Sequence, residues 1–133
     1  MAEPRPDALR GRRLLVVEDE YLIAASLACT LQSRGAEVVG PAGSVRDALA
    51  LVEAEGEQLD GAVLDINLGD ERVYPVAGAL AARGLPFVFL TGYDASVIPD
   101  AYAGVPRCEK PVSSALLSRM LLRMGRDSRA QGH

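Results

Sequence analysis

Three consecutive acids, Glu18, Asp19 and Glu20, follow directly on the apolar run at residues 14–17. Two unit charges ~4 Å apart repel by about 4 kcal/mol at an effective dielectric of ~20. A chain that keeps such a cluster either lets the acids splay into water or supplies a cation. Asp65 after "GAVL" and Thr91 after "FVFL" close short apolar runs in the same way, and Lys110 ends the short strand-like stretch "VPRCEK". Lys110 is the only lysine among 14 basic residues, the rest being arginine. That exception points to a position needing a compact ammonium rather than a planar guanidinium. Carboxylate oxygens suit Mg²⁺, which is usually held by one or two carboxylates, waters and phosphate oxygens. A threonine hydroxyl can donate to an anionic oxygen, and an ammonium can pair with a carboxylate or an incoming phosphoryl group. A carboxylate at the centre of such a group is a candidate nucleophile for phosphoryl transfer. Taken singly, each residue also has a plain reading: solvated acids, a cap, a turn hydroxyl, a surface lysine.

The elements that would position these residues follow from the hydrophobic pattern. "RLLVV", "AEVVG", "GAVLDI", "PFVFLTG" and "VPRCEK" read as five strands. Between them, "YLIAASLACTLQSRG" places Leu22, Ile23, Ser26, Leu27, Thr30 and Leu31 on one helical face and stops at Gly35. "SVRDALALVEAEG" is a helix with Ser44 as N-cap and Gly56 beyond its end. "VYPVAGALAARG" is a helix weakened by Gly78, with Pro75 near its start, and "SSALLSRMLLRMG" is a final amphipathic helix. Alternating strands and helices predict a doubly wound, mostly parallel five-stranded α/β sheet. The central strands are near-continuous apolar runs, as a sheet covered on both faces requires. Ligands bind such sheets at the carboxyl ends of the strands, where Glu18, Asp19, Asp65, Thr91 and Lys110 all fall. The expected domain spans 12–125, with 1–11 a loose arm and 126–133 a short frayed tail.

The remaining composition mostly excludes. The chain has 133 residues and a formal net charge of −4, which suits one domain and argues against a broad nucleic-acid surface. No apolar run reaches the ~18 residues of a membrane span and the N-terminus has no signal core, so the expectation is a cytoplasmic protein without a membrane partner. Cys29 and Cys108 have no neighbouring His or Cys and are expected to be buried small apolar residues. His133 is the only histidine and the last residue, which argues against a Ser-His-Asp triad, a Cys-His dyad or a phospho-accepting histidine.

"VVEDE", "LDINL", "FLTGY" and "CEKP", in that order and each ending an expected strand, resemble the receiver domain of bacterial two-component response regulators. "PFVFLTGY" further resembles a single-domain subgroup whose fourth strand reads Phe-Ala-Thr-Gly, with Leu90 here in place of Ala. The resemblance implies a flavodoxin-like fold and the following roles. Asp65 accepts the phosphoryl group. Asp19 coordinates Mg²⁺ directly, Glu18 acts through a bound water, and the Asn67 backbone carbonyl completes the protein ligands along with Asp65. Thr91 and Lys110 bind phosphoryl oxygens, and the Lys110–Pro111 bond is cis. The donor is a phosphohistidine on a sensor histidine kinase or a histidine phosphotransfer protein, and a downstream protein partner reads the result.

The sequence departs from that family at three places. The position three before the lysine, usually aromatic, is Arg107, which removes the common aromatic switch and leaves Tyr93 as an alternative participant. "NLGDERVYP" stands where a Met-Pro pair usually follows the acceptor. Gly92, Pro99, Gly104 and Pro106 interrupt the stretch where a fourth helix is expected. Because an interior Pro costs a helix about 3 kcal/mol and Gly about 1, that helix should be shortened to a turn or replaced by a loop, with mobility above the other connections. The expected function is a stand-alone receiver acting by partner binding or phosphate relay, with no enzymatic activity beyond its own phosphorylation and slow dephosphorylation. One rival is a phosphorylation-independent adaptor. Another is a Mg²⁺-dependent phosphohydrolase, which would need a general acid where Asn67 stands.

Overall fold

In the computed structural model, residues 7–92 and 98–131 are described, with side chains through Met124. The strands β1 (Arg13–Val17), β2 (Glu37–Ala42), β3 (Gly61–Asp65), β6 (Phe87–Thr91) and β7 (Arg107–Glu109) form one parallel sheet in the order β2-β1-β3-β6-β7. Helices α1 (Tyr21–Ser33), α2 (Val45–Glu55) and α3 (Tyr74–Ala82) connect the first four of these strands, and α4 (Ser114–Gln131) ends the described chain. Strand order reverses at β1, which lies between β2 and β3 and so creates the crevice where sheets of this kind bind ligands.

The period of the strands divides the interior into two cores. Leu15, Val17, Ala62, Leu64, Phe87 and Phe89 pack with residues of α2 and α3 on one face. Leu14, Val16, Val63, Val88 and Leu90 pack with residues of α1 and α4 on the other. Successive side chains of a strand point to opposite faces, so continuous apolar strands demand cover on both. Ser44 caps α2, its hydroxyl accepting from the Asp47 N–H at 3.1 Å.

The β3–α3 connection carries a feature absent from the sequence reading. A two-stranded hairpin, β4 (Asn67–Leu68) and β5 (Glu71–Arg72), turns at Gly69, whose φ of +61° lies where other residues are strained. Its Glu71 carboxylate accepts from the Val45 N–H of α2 at 3.2 Å. The β6–β7 connection, in its described part, holds only a 3-10 turn at Asp100–Tyr102, in keeping with the expected loss of a helix. Tyr102 stacks on Tyr74 at 5.6 Å between ring centroids and meets Phe89 edge-on at 6.0 Å, covering sheet that a helix would otherwise cover. The Lys110–Pro111 bond is cis, as the resemblance implied, and so is Gly40–Pro41.

Several expectations are corrected. Residues 7–11 do not form a loose arm: Leu9 is fully buried and its N–H donates to the Arg34 carbonyl at 2.8 Å, because the α1–β2 turn offers an apolar slot and an open acceptor. The terminal helix runs on to Gln131, since residues 126–131 contain neither Gly nor Pro to stop it. Cys108 is buried, but Cys29 is exposed. In α1 the buried residues are Ala24, Leu27 and Leu31, while Leu22 is 74% exposed. The face read from the sequence is thus shared: Leu27 and Leu31 belong to the core, and Leu22, Ile23, Ser26, Leu27 and Thr30 line a cleft of about 350 Å³ beside Lys110 and Pro111.

Candidate phosphoacceptor and metal site

Three strand ends build the site. Glu18 follows β1 and is 2% exposed, while Asp65 ends β3 and is 4% exposed. Asp19, the next residue after Glu18, is exposed. One carboxylate oxygen from each of the three lies within 4.8 Å of the others. Thr91, buried, ends β6, and its carbonyl accepts the Lys110 N–H at 2.8 Å, which ties the hydroxyl-bearing strand to the lysine. Lys110 Nζ donates to Glu18 Oε1 at 2.9 Å and to Asp65 Oδ2 at 3.0 Å. The second oxygens are also engaged: Glu18 Oε2 accepts from the Glu20 N–H and Asp65 Oδ1 from the Asn67 N–H, each at 3.2 Å.

This arrangement answers the electrostatic question raised by the acid run. The cluster does not splay entirely into water. Glu18 turns inward to the lysine and Asp19 turns outward. Burial, followed by the hydrogen-bonded contact with Asp65, raises the Glu18 pKa above its ordinary 4.5, and Lys110 only partly opposes this. For Lys110, burial acts to lower the pKa, but the bonds to Glu18 and Asp65 outweigh it and hold the ammonium above its ordinary value. Three carboxylates thus face one ammonium, a formal excess of two negative charges. The donor set is all oxygen, it faces solvent through Asp19, and its excess charge matches a hard divalent cation, so these residues fit one. Asn67 begins β4 two residues beyond Asp65, next to the acids. The turn of the hairpin closes over Asp19: a Cβ on Gly69 would lie 3.7 Å from Asp19 Oδ2.

Glu18, Asp19, Asp65 and Lys110 therefore come together as expected, with Thr91 bound to the lysine through the backbone. Arg107 is exposed in β7, in register with Phe89. Tyr93 lies outside the described residues. Missed in the sequence were the hairpin and the pairing of Lys110 with two carboxylates at once. "NLGDER", with Gly-Asp at its centre, was the available signal for the hairpin.

No protein-family model matches the chain. It is 34% identical over 88 residues to the transcriptional regulatory protein PdtaR of Mycobacterium tuberculosis, a stretch covering 65% of this chain and 42% of that protein. The chain thus spans less than half the length of these curated relatives. The solution structure of SdrG from Sphingomonas melonis Fr1 is 39% identical, with a TM-score of 0.70, covering 82% of this chain and 96% of SdrG. A response regulator receiver protein from Sinorhizobium medicae WSM419 is 25% identical, with a TM-score of 0.70, covering 88% of this chain and 98% of that one.

Proposed function

Because the chain belongs to the receiver-domain family of two-component response regulators, we propose that it accepts a phosphoryl group on Asp65 from a phosphohistidine of a sensor histidine kinase or histidine phosphotransfer protein. The observation that carries this reading is the double hydrogen bond of Lys110 to Glu18 and Asp65 with Asp19 alongside.

In the transfer, an oxygen of Asp65 attacks the donor's phosphorus. The N–P bond breaks, its electron pair stays on the histidine nitrogen, and an O–P bond forms as a mixed anhydride. Lys110 is already aimed at the acceptor and turns toward the incoming oxygens, exchanging a carboxylate partner for a phosphoryl one. The Thr91 hydroxyl donates to another of these oxygens, and the short backbone link to Lys110 keeps the two donors in step. Glu18, Asp19 and Asp65, with the Asn67 carbonyl, would hold Mg²⁺, which when bound offsets the negative charge of the carboxylates and of the phosphoryl group. The cleft between α1 and Lys110–Pro111, bordered by exposed Leu22, offers the donor protein an apolar foothold next to the acceptor. Catalysis is confined to the protein's own phosphorylation and slow dephosphorylation. The output is partner binding or onward transfer of the phosphoryl group, in the cytoplasm.

The test is phosphotransfer from a radiolabelled histidine kinase or phosphotransfer protein of the same cell. Label should move from at least one donor to the wild-type chain and from none to Asp65→Asn. Label appearing on both alike would overturn the assignment.

A further inference from the structure

The turn that carries Glu18 and Asp19 lies against two turns of other connections. The first is the β2–α2 turn: the Glu18 N–H donates to the Ala42 carbonyl at 2.9 Å, and a Cβ on Gly43 would lie 3.7 Å from Asp19 Cα. The second is the β4–β5 hairpin, where a Cβ on Gly69 would lie 3.7 Å from Asp19 Oδ2. The root of the hairpin is tied to the acceptor, since the Asn67 N–H donates to Asp65 Oδ1 at 3.2 Å and the Val73 N–H to the Ile66 carbonyl at 3.0 Å. Leu68 is buried, and its partner in register is the exposed Glu71. The Glu71 carboxylate accepts from the N–H of Val45, the first residue of α2, at 3.2 Å. That bond joins to each other the two turns that touch Asp19. It suits its place: the first N–H groups of a helix lack intrahelical partners, and the dipole there favours an anion. Ser44 takes the Asp47 N–H and leaves that of Val45 to Glu71.

We propose that Glu71 is a positioning residue of the phosphoacceptor site, holding the hairpin against the α2 N-terminus so that Asn67 and Gly69 stay in place beside the acids and the cation site is preformed. The proposal rests on the reading of Glu18, Asp19, Asp65 and the Asn67 carbonyl as Mg²⁺ ligands. A two-stranded hairpin is marginally stable on its own, and this one has only two residues to a strand. Freed from α2, it must be ordered when the cation binds, and that ordering is subtracted from affinity. The effect of Glu71 therefore falls on Mg²⁺ binding and not on the transfer step once the cation is held.

The test compares Glu71→Ala with Glu71→Gln, which keeps an acceptor oxygen and loses the charge. Calorimetric titration of the full chain with Mg²⁺ should give a Kd about fivefold weaker for Glu71→Ala and within about twofold of wild type for Glu71→Gln. Val45→Pro removes the donor instead, at a first helical position that suits proline, after a residue in extended backbone. It should weaken Mg²⁺ to the same degree, and Glu71→Ala added to it should cost nothing more. In the metal-free protein, exchange of the Asn67 and Val73 amides should quicken in Glu71→Ala and not in Glu71→Gln. Labelling of Asp65 by acetyl phosphate should slow in Glu71→Ala at low Mg²⁺ and match wild type at saturating Mg²⁺. Wild-type affinity in Glu71→Ala would overturn the proposal. So would equal losses in Glu71→Ala and Glu71→Gln, because charge alone would then act, or losses that add in the double variant. A wild-type chain that binds no Mg²⁺ would overturn the metal-site reading itself, and the proposal with it.

Discussion

Lys110 Nζ stands 3.0 Å from Asp65 Oδ2 across the carboxyl ends of two strands that are not neighbours in the sheet. The same ammonium reaches Glu18, whose side chain has no exposed surface. Lys110→Ala should therefore leave buried carboxylates unmatched. Breaking an enclosed pair costs about 3–5 kcal/mol, and the partial exposure of Lys110 lowers the expected loss to about 2. Urea denaturation in EDTA measures it, and an unchanged midpoint would contradict the structural role. Lys110→Arg should recover part of the stability but little of the phosphorylation rate, because a planar fork cannot replace the compact ammonium.

Glu18 makes the metal-free protein sensitive to pH. Its pKa is raised on folding, so the native state binds the extra proton and stability falls as pH rises from 4.5 through the folded value. Glu18→Gln removes this dependence. The melting temperature of Glu18→Gln minus that of wild type, in EDTA, should grow more positive on going from pH 4 to neutrality, by a few degrees. A difference flat across that range would show that burial does not act on Glu18 as described.

Asp19 is the exposed member of the cluster and bears on metal binding more than on folding. Asp19→Asn should leave metal-free stability unchanged or slightly raised while weakening Mg²⁺ binding at least about tenfold. Calorimetric titration with Mg²⁺ checks this. Wild-type affinity in Asp19→Asn would remove Asp19 from the ligand set.

Tyr102 ends the 3-10 turn in the described part of the β6–β7 connection, and its value is structural. Tyr102→Ala uncovers Phe87 and Phe89 and removes the stack on Tyr74, a loss of about 2 kcal/mol for a half-buried ring. Thermal denaturation reads it. A change under about 0.5 kcal/mol, the scale of an ordinary surface substitution, would mean that the ring covers nothing.

Much of this arrangement was legible in the residues themselves. "RLLVV" marks β1 to the residue and "GAVLDI" overruns β3 by one, because buried parallel strands are continuous apolar runs and their ends are where polarity returns. The same rule found Asp65 and Thr91, whereas Lys110 stood out as the only lysine at the end of a short strand. Ser44 was legible as a cap from its chemistry alone. Leu9 was not, since an isolated leucine among charges has no period, and its burial depends on the distant Arg34 carbonyl. The α1 stripe was read correctly as a face, but its split was not legible, because periodicity says which residues align and not that Leu27 and Leu31 are covered while Leu22 is exposed. The sequence likewise shows that Pro99, Gly104 and Pro106 break a helix, yet not that Tyr102 fills the gap.

The central claim is that Asp65 is the phosphoacceptor and that the acids and lysine around it enable the transfer. Intact-protein mass spectrometry after incubation with acetyl phosphate and Mg²⁺ tests it without any partner protein. Wild type should gain a single phosphoryl group, EDTA should suppress the gain, and Asp65→Asn should gain none. Equal labelling of wild type and Asp65→Asn, or a wild-type chain that never takes up the group, would contradict the account.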